Sequence, residues 1–191
     1  MKSLLRISTF ILFCIVVSQN AYAKSNLGWR SIGVDAGFVD PENVDGALGF
    51  GAFADLGTIA PSLHLAPQIG YWSKSMEDFG SEVSVGDLSF GARGKYMFHV
   101  TSRKFQPYAG AGLGLHFVSA KVTIPDMIVG GFLVPGMTVK DSSTKIGMDM
   151  GGGFVTPIGA RTDLTGDLWY TFVEDVGHMS LKVGIAMKLW K

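Results

Sequence analysis

The chain has 191 residues, with 16 lysines and arginines against 16 aspartates and glutamates, so its formal net charge is zero. A nucleic-acid partner calls for a basic excess, and none is present. Hydrophobic residues make up 47% of the chain and glycine contributes 26 positions, yet beyond the N-terminal region there is no 18-residue apolar stretch of the kind a membrane-spanning helix requires.

The N-terminus reads as an export signal. Lys2 and Arg6 form a positive start, residues 7–17 are almost wholly apolar, and Ala21-Tyr22-Ala23 places small residues where a signal peptidase cuts. The expectation is a signal peptide over 1–23 and one domain over 24–191. Removal takes two basic residues and no acidic one, leaving a slightly negative mature chain. The single cysteine, Cys14, lies inside the signal and follows the bulky Phe13. The mature protein is therefore expected to have no disulfide, thiol nucleophile or cysteine-ligated metal.

The rest divides into eight runs of period-two alternation, the signature of strands with one apolar and one polar face. The first, Trp29 to Phe38, sets Ile32, Val34, Ala36 and Phe38 against Ser31, Gly33 and Asp35, and the turn signal Asp40-Pro41-Glu42-Asn43 ends it. The second, Ala47 to Leu56, alternates Leu48, Phe50, Ala52 and Ala54 with Gly49, Gly51, Phe53 and Asp55; Phe53 breaches the pattern. In the third, Leu63 to Lys74, Pro67 cannot donate to a ladder, so a bulge or unpaired position is expected beside it. The fourth is the cleanest: Leu88, Phe90, Ala92, Gly94, Tyr96 and Phe98 alternate with Asp87, Ser89, Gly91, Arg93 and Lys95.

The fifth, Phe105 to Phe117, contains G-A-G-L-G-L, but its glycines keep period two and open no helix, which argues against a dinucleotide site. The sixth, Lys145 to Phe154, and the seventh, Asp163 to Phe172, alternate in the same way. The eighth, Leu181 to Trp190, sets Leu181, Val183, Ile185, Met187 and Leu189 against Lys182, Gly184, Ala186 and Lys188.

Connections alternate short and long. Residues 57–62, 99–104 and 156–160 are short; 39–45, 75–86 and especially 118–144 are longer, with 173–178 a short member of the second set. An even-stranded barrel with termini and short turns in the periplasm, and longer loops outside, has this rhythm. Parity alone does not say which face points inward, since a soluble barrel would turn the same pattern inside out. The charged face, however, is rich in glycine and free of glutamate, which suits a narrow lumen better than a watery surface. Aromatic residues on the apolar face also gather at both ends: Tyr96, Phe98, Phe105 and Phe154 by the short turns; Phe38, Tyr71, Phe117, Tyr170 and Phe172 by the long ones.

The last run, with Gly184 three residues before Met187 and five before Leu189, resembles the terminal signal of bacterial outer-membrane β-barrels, which the barrel-assembly machinery reads. The opening G-V-D-A-G-F-V-D-P, the segment Y-W-S-K-S and the segment P-Y-A-G-A-G-L-G-L-H-F resemble the eight-stranded outer-membrane β-barrel superfamily that includes the OmpA, OmpX and OmpW types. The resemblance implies an all-β, eight-stranded antiparallel up-and-down transmembrane barrel in the cell outer membrane, in contact with lipid and lipopolysaccharide. It implies no single activity, because this architecture carries structural proteins, small channels, surface-binding proteins and a few lipid-modifying enzymes.

The polar face supplies the candidate site: Asp35, Asp55, Asp87, Asp149, Asp163 and Asp167 against Lys74, Arg93, Lys95, Lys145, Lys182 and Lys188. Six acids face six bases, and buried charges persist only when paired; the expectation is a lumen closed by ion pairs. The alternative is a narrow channel or a route for a hydrophobic ligand. Catalysis would draw on His116, Ser119 and Asp141, but the serine is out of step with the histidine's face, so no catalytic residue is assigned. No histidine or acidic cluster has metal-ligand spacing, and no cofactor is expected. The loop over 118–144 carries Ile124, Met127, Ile128, Phe132 and Leu133 around Gly130-Gly131; it reads as a hairpin extending the flanking strands or as a surface for a hydrophobic ligand or another protein.

Overall fold

A computed structural model describes residues 25–42, 45–78, 81–101, 104–129, 132–174 and 176–189. The expected signal over 1–23, Asn43, Gly130, Gly131 and the terminal Trp190 lie outside them. The described chain contains β1 (Asn26–Pro41), β2 (Ala47–Ala60), β3 (Leu63–Asp78), β4 (Ser81–Met97), β5 (Gln106–Ile124), β6 (Met127–Val129), β7 (Phe132–Val134), β8 (Met137–Pro157), β9 (Thr162–Phe172) and β10 (His178–Lys188). Eight of these close an antiparallel barrel in the order β1-β10-β9-β8-β5-β4-β3-β2, while β6 and β7 pair with each other. Closure satisfies every ladder without an edge inside the membrane, where no water could take an unpaired backbone group.

The apolar face points outward. Leu113, Leu181, Val34 and Leu48 are each 60% exposed or more, whereas the side chains of Arg93 and Asp149 keep only 14% and 5%. A soluble barrel would show the reverse. Outward aromatic residues pair within the two expected belts: Phe105 stacks on Phe154 with centroids 5.2 Å apart and Tyr96 meets Phe98 edge-on at one end, with Tyr170 against Phe172 at the other.

The connection over 75–86 is mostly strand instead of loop, and 118–144 extends its flanking strands as the hairpin reading expects. Residues 75–78 and 81–86 continue β3 and β4, and 118–124 and 137–144 continue β5 and β8, with register unbroken from Gln106↔Val155 to Ile124↔Met137. Opposite these, β9 stops at Phe172, which pairs with Met148, and β2 begins at Ala47 with its ladder to β3 starting at Gly49↔Trp72. β3, β4, β5 and β8 therefore rise beyond the barrel rim as a four-stranded sheet on one side of the mouth.

At the opposite end, the β2–β3 register shifts between Phe53 and Thr58, alongside Pro67 as anticipated. Gly57 sits there with φ of 82°, a conformation that suits glycine, and its N–H donates to Asp55 Oδ1 at 2.7 Å.

Candidate functional site

The lumen is filled because the inward positions alternate large and absent side chains. A Cβ on Gly151 would meet Trp169 Cα at 2.8 Å, and one on Gly110 would meet the Trp169 ring at 3.1 Å, so these glycines admit an indole that is only 2% exposed. Gly33 leaves room in the same way for Phe53, the residue that broke the apolar-out pattern. Phe53 points inward, and the Lys95 ammonium lies 5.3 Å from its ring centroid. An aromatic face under a sequestered ammonium partly replaces the water the cation has lost.

Charges occupy this interior in levels. Near the short-turn end, Lys188 Nζ meets Asp163 Oδ1 at 2.7 Å, and His64 Nδ1 meets Asp55 Oδ2 at 2.9 Å. Midway, Arg93 Nε donates to Asp149 Oδ2 at 2.9 Å, Lys182 Nζ sits 3.0 Å from Asp35 Oδ1, and Lys95 Nζ sits 4.0 Å from Asp167 Oδ1 while donating to Tyr108 Oη at 3.3 Å. Asp149 also accepts from Gln68 Nε2 at 2.9 Å and Thr171 Oγ1 at 2.8 Å. The Arg93 guanidinium lies 4.0 Å over the Trp169 ring centroid. Toward the mouth, His116 Nδ1 meets Asp87 Oδ2 at 2.7 Å. Val39, Ala47 and Trp72, with Val85 against them, form an apolar layer above it. A cavity of about 30 Å³ remains, lined in part by Asp35, Gln68, Arg93, Asp149, His178 and Lys182; that is room for about two waters.

All nine candidate network residues, Asp35, Asp55, Asp87, Arg93, Lys95, Asp149, Asp167, Lys182 and Lys188, thus face the interior, but the expected matching of six acids with six bases is corrected in two ways. Asp55 and Asp87 pair with histidines. Lys74 and Lys145 reach the rim, where they donate to the carbonyls of Gly46 at 3.2 Å and Glu174 at 3.0 Å. Charge counting missed His64, His116, Gln68, Tyr108, Trp169 and Thr171, although each sits on the polar parity of its strand.

The residues weighed for catalysis are not assembled. His116 is buried on Asp87, Ser119 lies on the opposite face of β5, and Asp141 pairs across from Ala120, four residues further out than His116. Among the described residues no group of histidines, cysteines and acids is placed to hold a metal.

The raised sheet has its own pattern. Inside the membrane span Leu113, Leu115 and Phe117 point outward; beyond it Val118, Ala120, Val122 and Ile124 take the inward parity. On β4 the switch falls between Leu88 and Val85, with Val83 following. The inward, concave face of the raised sheet is therefore largely apolar, with Met76 on β3 and Met137 and Val139 on β8 adding to it around the carboxylate of Asp141, and Met137 and Val139 are at least half exposed. In the segment between β5 and β8, Phe132 is 78% exposed; the side chains of Met127, Ile128 and Leu133 lie outside the described residues.

A family model described as outer membrane protein beta-barrel domain matches residues 9–188. Among solved structures, Neisserial surface protein A is similar at 18% identity and a TM-score of 0.60, covering 84% of this chain and 96% of its own. A major outer membrane protein from Thermus thermophilus is similar at 14% identity and a TM-score of 0.60, over 84% and 99%. Ail, the attachment invasion locus protein of Yersinia pestis, is similar at 14% identity and a TM-score of 0.55, over 84% and 97%. None of the curated protein sequences matches the chain.

Proposed function

Because the chain belongs to the outer membrane protein β-barrel domain family, and so to the outer membrane, we propose that it is a non-enzymatic barrel with a structural or surface-binding role and a lumen closed by paired charges. In this reading residues 1–23 direct export, 24–191 form the barrel, and β10 presents the terminal signal to the assembly machinery. The long hairpins face the outside of the cell. The observation that carries the reading is the Arg93 level: one guanidinium held by Asp149 and Trp169 across an interior whose cavity is about 30 Å³. A hydrated ion passes only where bulk-like water is continuous, and the cavity beside Arg93 holds only about two waters.

Planar-bilayer recording tests this. The wild-type protein should show no stable unitary conductance. A steady conductance in the wild type that disappears in Arg93→Ala or Lys95→Ala would defeat the closed lumen and favour a narrow channel.

A second reading has its own observation. The apolar concave face of the raised sheet is a surface for a hydrophobic ligand at the mouth, in the manner of the OmpW type. An environment-sensitive fatty-acid probe added to protein in lipid nanodiscs should brighten with the wild type, and Val122→Asp should weaken its apparent affinity by about tenfold, since an inserted charge replaces apolar contact. Equal brightening by both proteins would remove this reading.

A further inference from the structure

The outward face of the raised sheet, opposite the apolar concavity, holds a basic site two residue rows beyond the hydrocarbon edge. Register fixes its rows. Tyr71, Leu88 and Phe117 stand side by side as the last apolar outward row; Ser73, Gly86, Ser119 and Ser142 form the next; Ser75, Ser84, Lys121 and Lys140 form the one after. From Phe117 to Lys121 is about 13 Å along the strand, or about 9 Å along the membrane normal for a strand tilted by about 45°. The headgroup layer is about 5–7 Å deep on each side, so the lysine backbone stands just above it and the long side chains reach down into it.

Lys121 and Lys140 are direct cross-strand partners on β5 and β8. Like charges directly opposite each other on one sheet face are destabilising, so their juxtaposition is unfavourable unless an anion lies between them. Among the described residues neither ammonium makes an ion pair or hydrogen bond. The carboxylates of this face, Glu77 and Glu82, are cross-strand partners one row further out on β3 and β4, away from Lys140 on the edge strand. Asp141 takes the inward parity. Around the two lysines the face offers hydroxyls: Ser119 and Ser142 on the membrane side and Ser84 beside Lys121, where Ser84 and Ser75 are hydrogen-bonded at 2.7 Å. Beyond Met148, β8 has no β9 partner, so among the described residues no strand pairs with β8 on the flank of Lys140.

Two facing ammonium groups ringed by hydroxyls, exposed at headgroup height on a wall that is greasy just below, match one chemistry. We propose that Lys121 and Lys140 clamp a phosphate group of an outer-leaflet lipid whose acyl chains lie against Leu115, Phe117 and Ile146. The clamp offsets the like-charge repulsion and fixes the raised sheet to the membrane surface. It rests on the orientation proposed above, with the long hairpins outside, and is independent of whether the lumen conducts.

The test is native mass spectrometry of the full mature chain in micelles with lipid A as probe. Wild type should retain lipid A, and should release it after phosphatase treatment of the lipid. Lys121→Gln and Lys140→Gln should each weaken retention by about tenfold, as expected for loss of a charge-assisted hydrogen bond, while Lys121→Arg and Lys140→Arg should restore it. Equal retention by the Lys121→Gln/Lys140→Gln double variant, or equal retention of the dephosphorylated lipid, would overturn the clamp. So would displacement of lipid A by millimolar inorganic phosphate, which would mark a site for soluble anions. Orientation is read separately, by labelling Ser142→Cys on intact cells with a membrane-impermeant maleimide.

Discussion

Arg93→Ala should lower the unfolding free energy by about 3–5 kcal/mol, the usual consequence of removing one member of a buried ion pair. Asp149 would keep the hydrogen bonds from Gln68 and Thr171 but lose its guanidinium, and its side chain is only 5% exposed. The Trp169 ring would lose the cation lying 4.0 Å above it. Urea titration of protein folded in lipid vesicles, followed by tryptophan fluorescence, measures the change. The informative partner is Arg93→Met/Asp149→Leu, in which both charges leave together; replacing a buried pair by apolar groups is often close to neutral, so most of the lost stability should return. If Arg93→Ala costs less than about 1 kcal/mol, the range of an exposed pair, the lumen is wet and the closed interior is wrong.

Trp169→Ala should be comparably damaging, by about 3–5 kcal/mol, for a different reason. The indole is packed between glycines at 110 and 151 that supply no side chain to collapse into the gap. The void opens beside Arg93 and Asp149, polar groups that attract water, so it should flood instead of staying dry. The two expectations can therefore be separated: Trp169→Ala should gain a small conductance in bilayers, whereas Trp169→Phe should keep the barrel silent with a milder loss of stability. A silent Trp169→Ala protein would mean that Val39, Ala47 and Trp72 seal the mouth by themselves.

How far the chain could be read in advance follows from what period two encodes. It encodes which face a residue takes, and the barrel, its eight strands and the inward charges were legible for that reason. It does not encode where a strand ends when the solvent changes. At Phe117-Val118 two apolar residues stand together because the outside passes from lipid to water while the concave inside becomes apolar; the alternation reverses sense, and the strand looks as though it stops. The same reversal between Val85 and Leu88 hid the upper half of β4.

Partner choice had a similar limit. Lys182 with Asp35, Lys188 with Asp163, and His116 with Asp87 lie on neighbouring strands, within reach of the diagonal contacts a ladder allows. Arg93 reaches from β4 past β5 to Asp149 on β8, and Lys95 reaches Asp167 on β9. Those distances exist only after closure and tilt are set, so counting charges on isolated strands does not say which acid takes which base, nor that Asp55 and Asp87 take histidines. Parity puts Trp169 and Tyr108 on the inward face, but it does not show that the glycines facing them are their seats, because that match joins residues on different strands.

The join between β1 and β10 differs from every other ladder in the barrel. Each of the others links strands brought together by a hairpin or by the segment that carries β6 and β7, whereas Ser31↔Lys188 unites the two ends of the described chain. The entropic cost of closing so long a loop comes due before its contacts return anything. Folding therefore has a natural last step, the zipping of this seam, and the Lys182 to Asp35 bond that spans it forms only then. Damage at that pair acts on the rate at which the cylinder shuts, leaving the hairpins to assemble at their own pace.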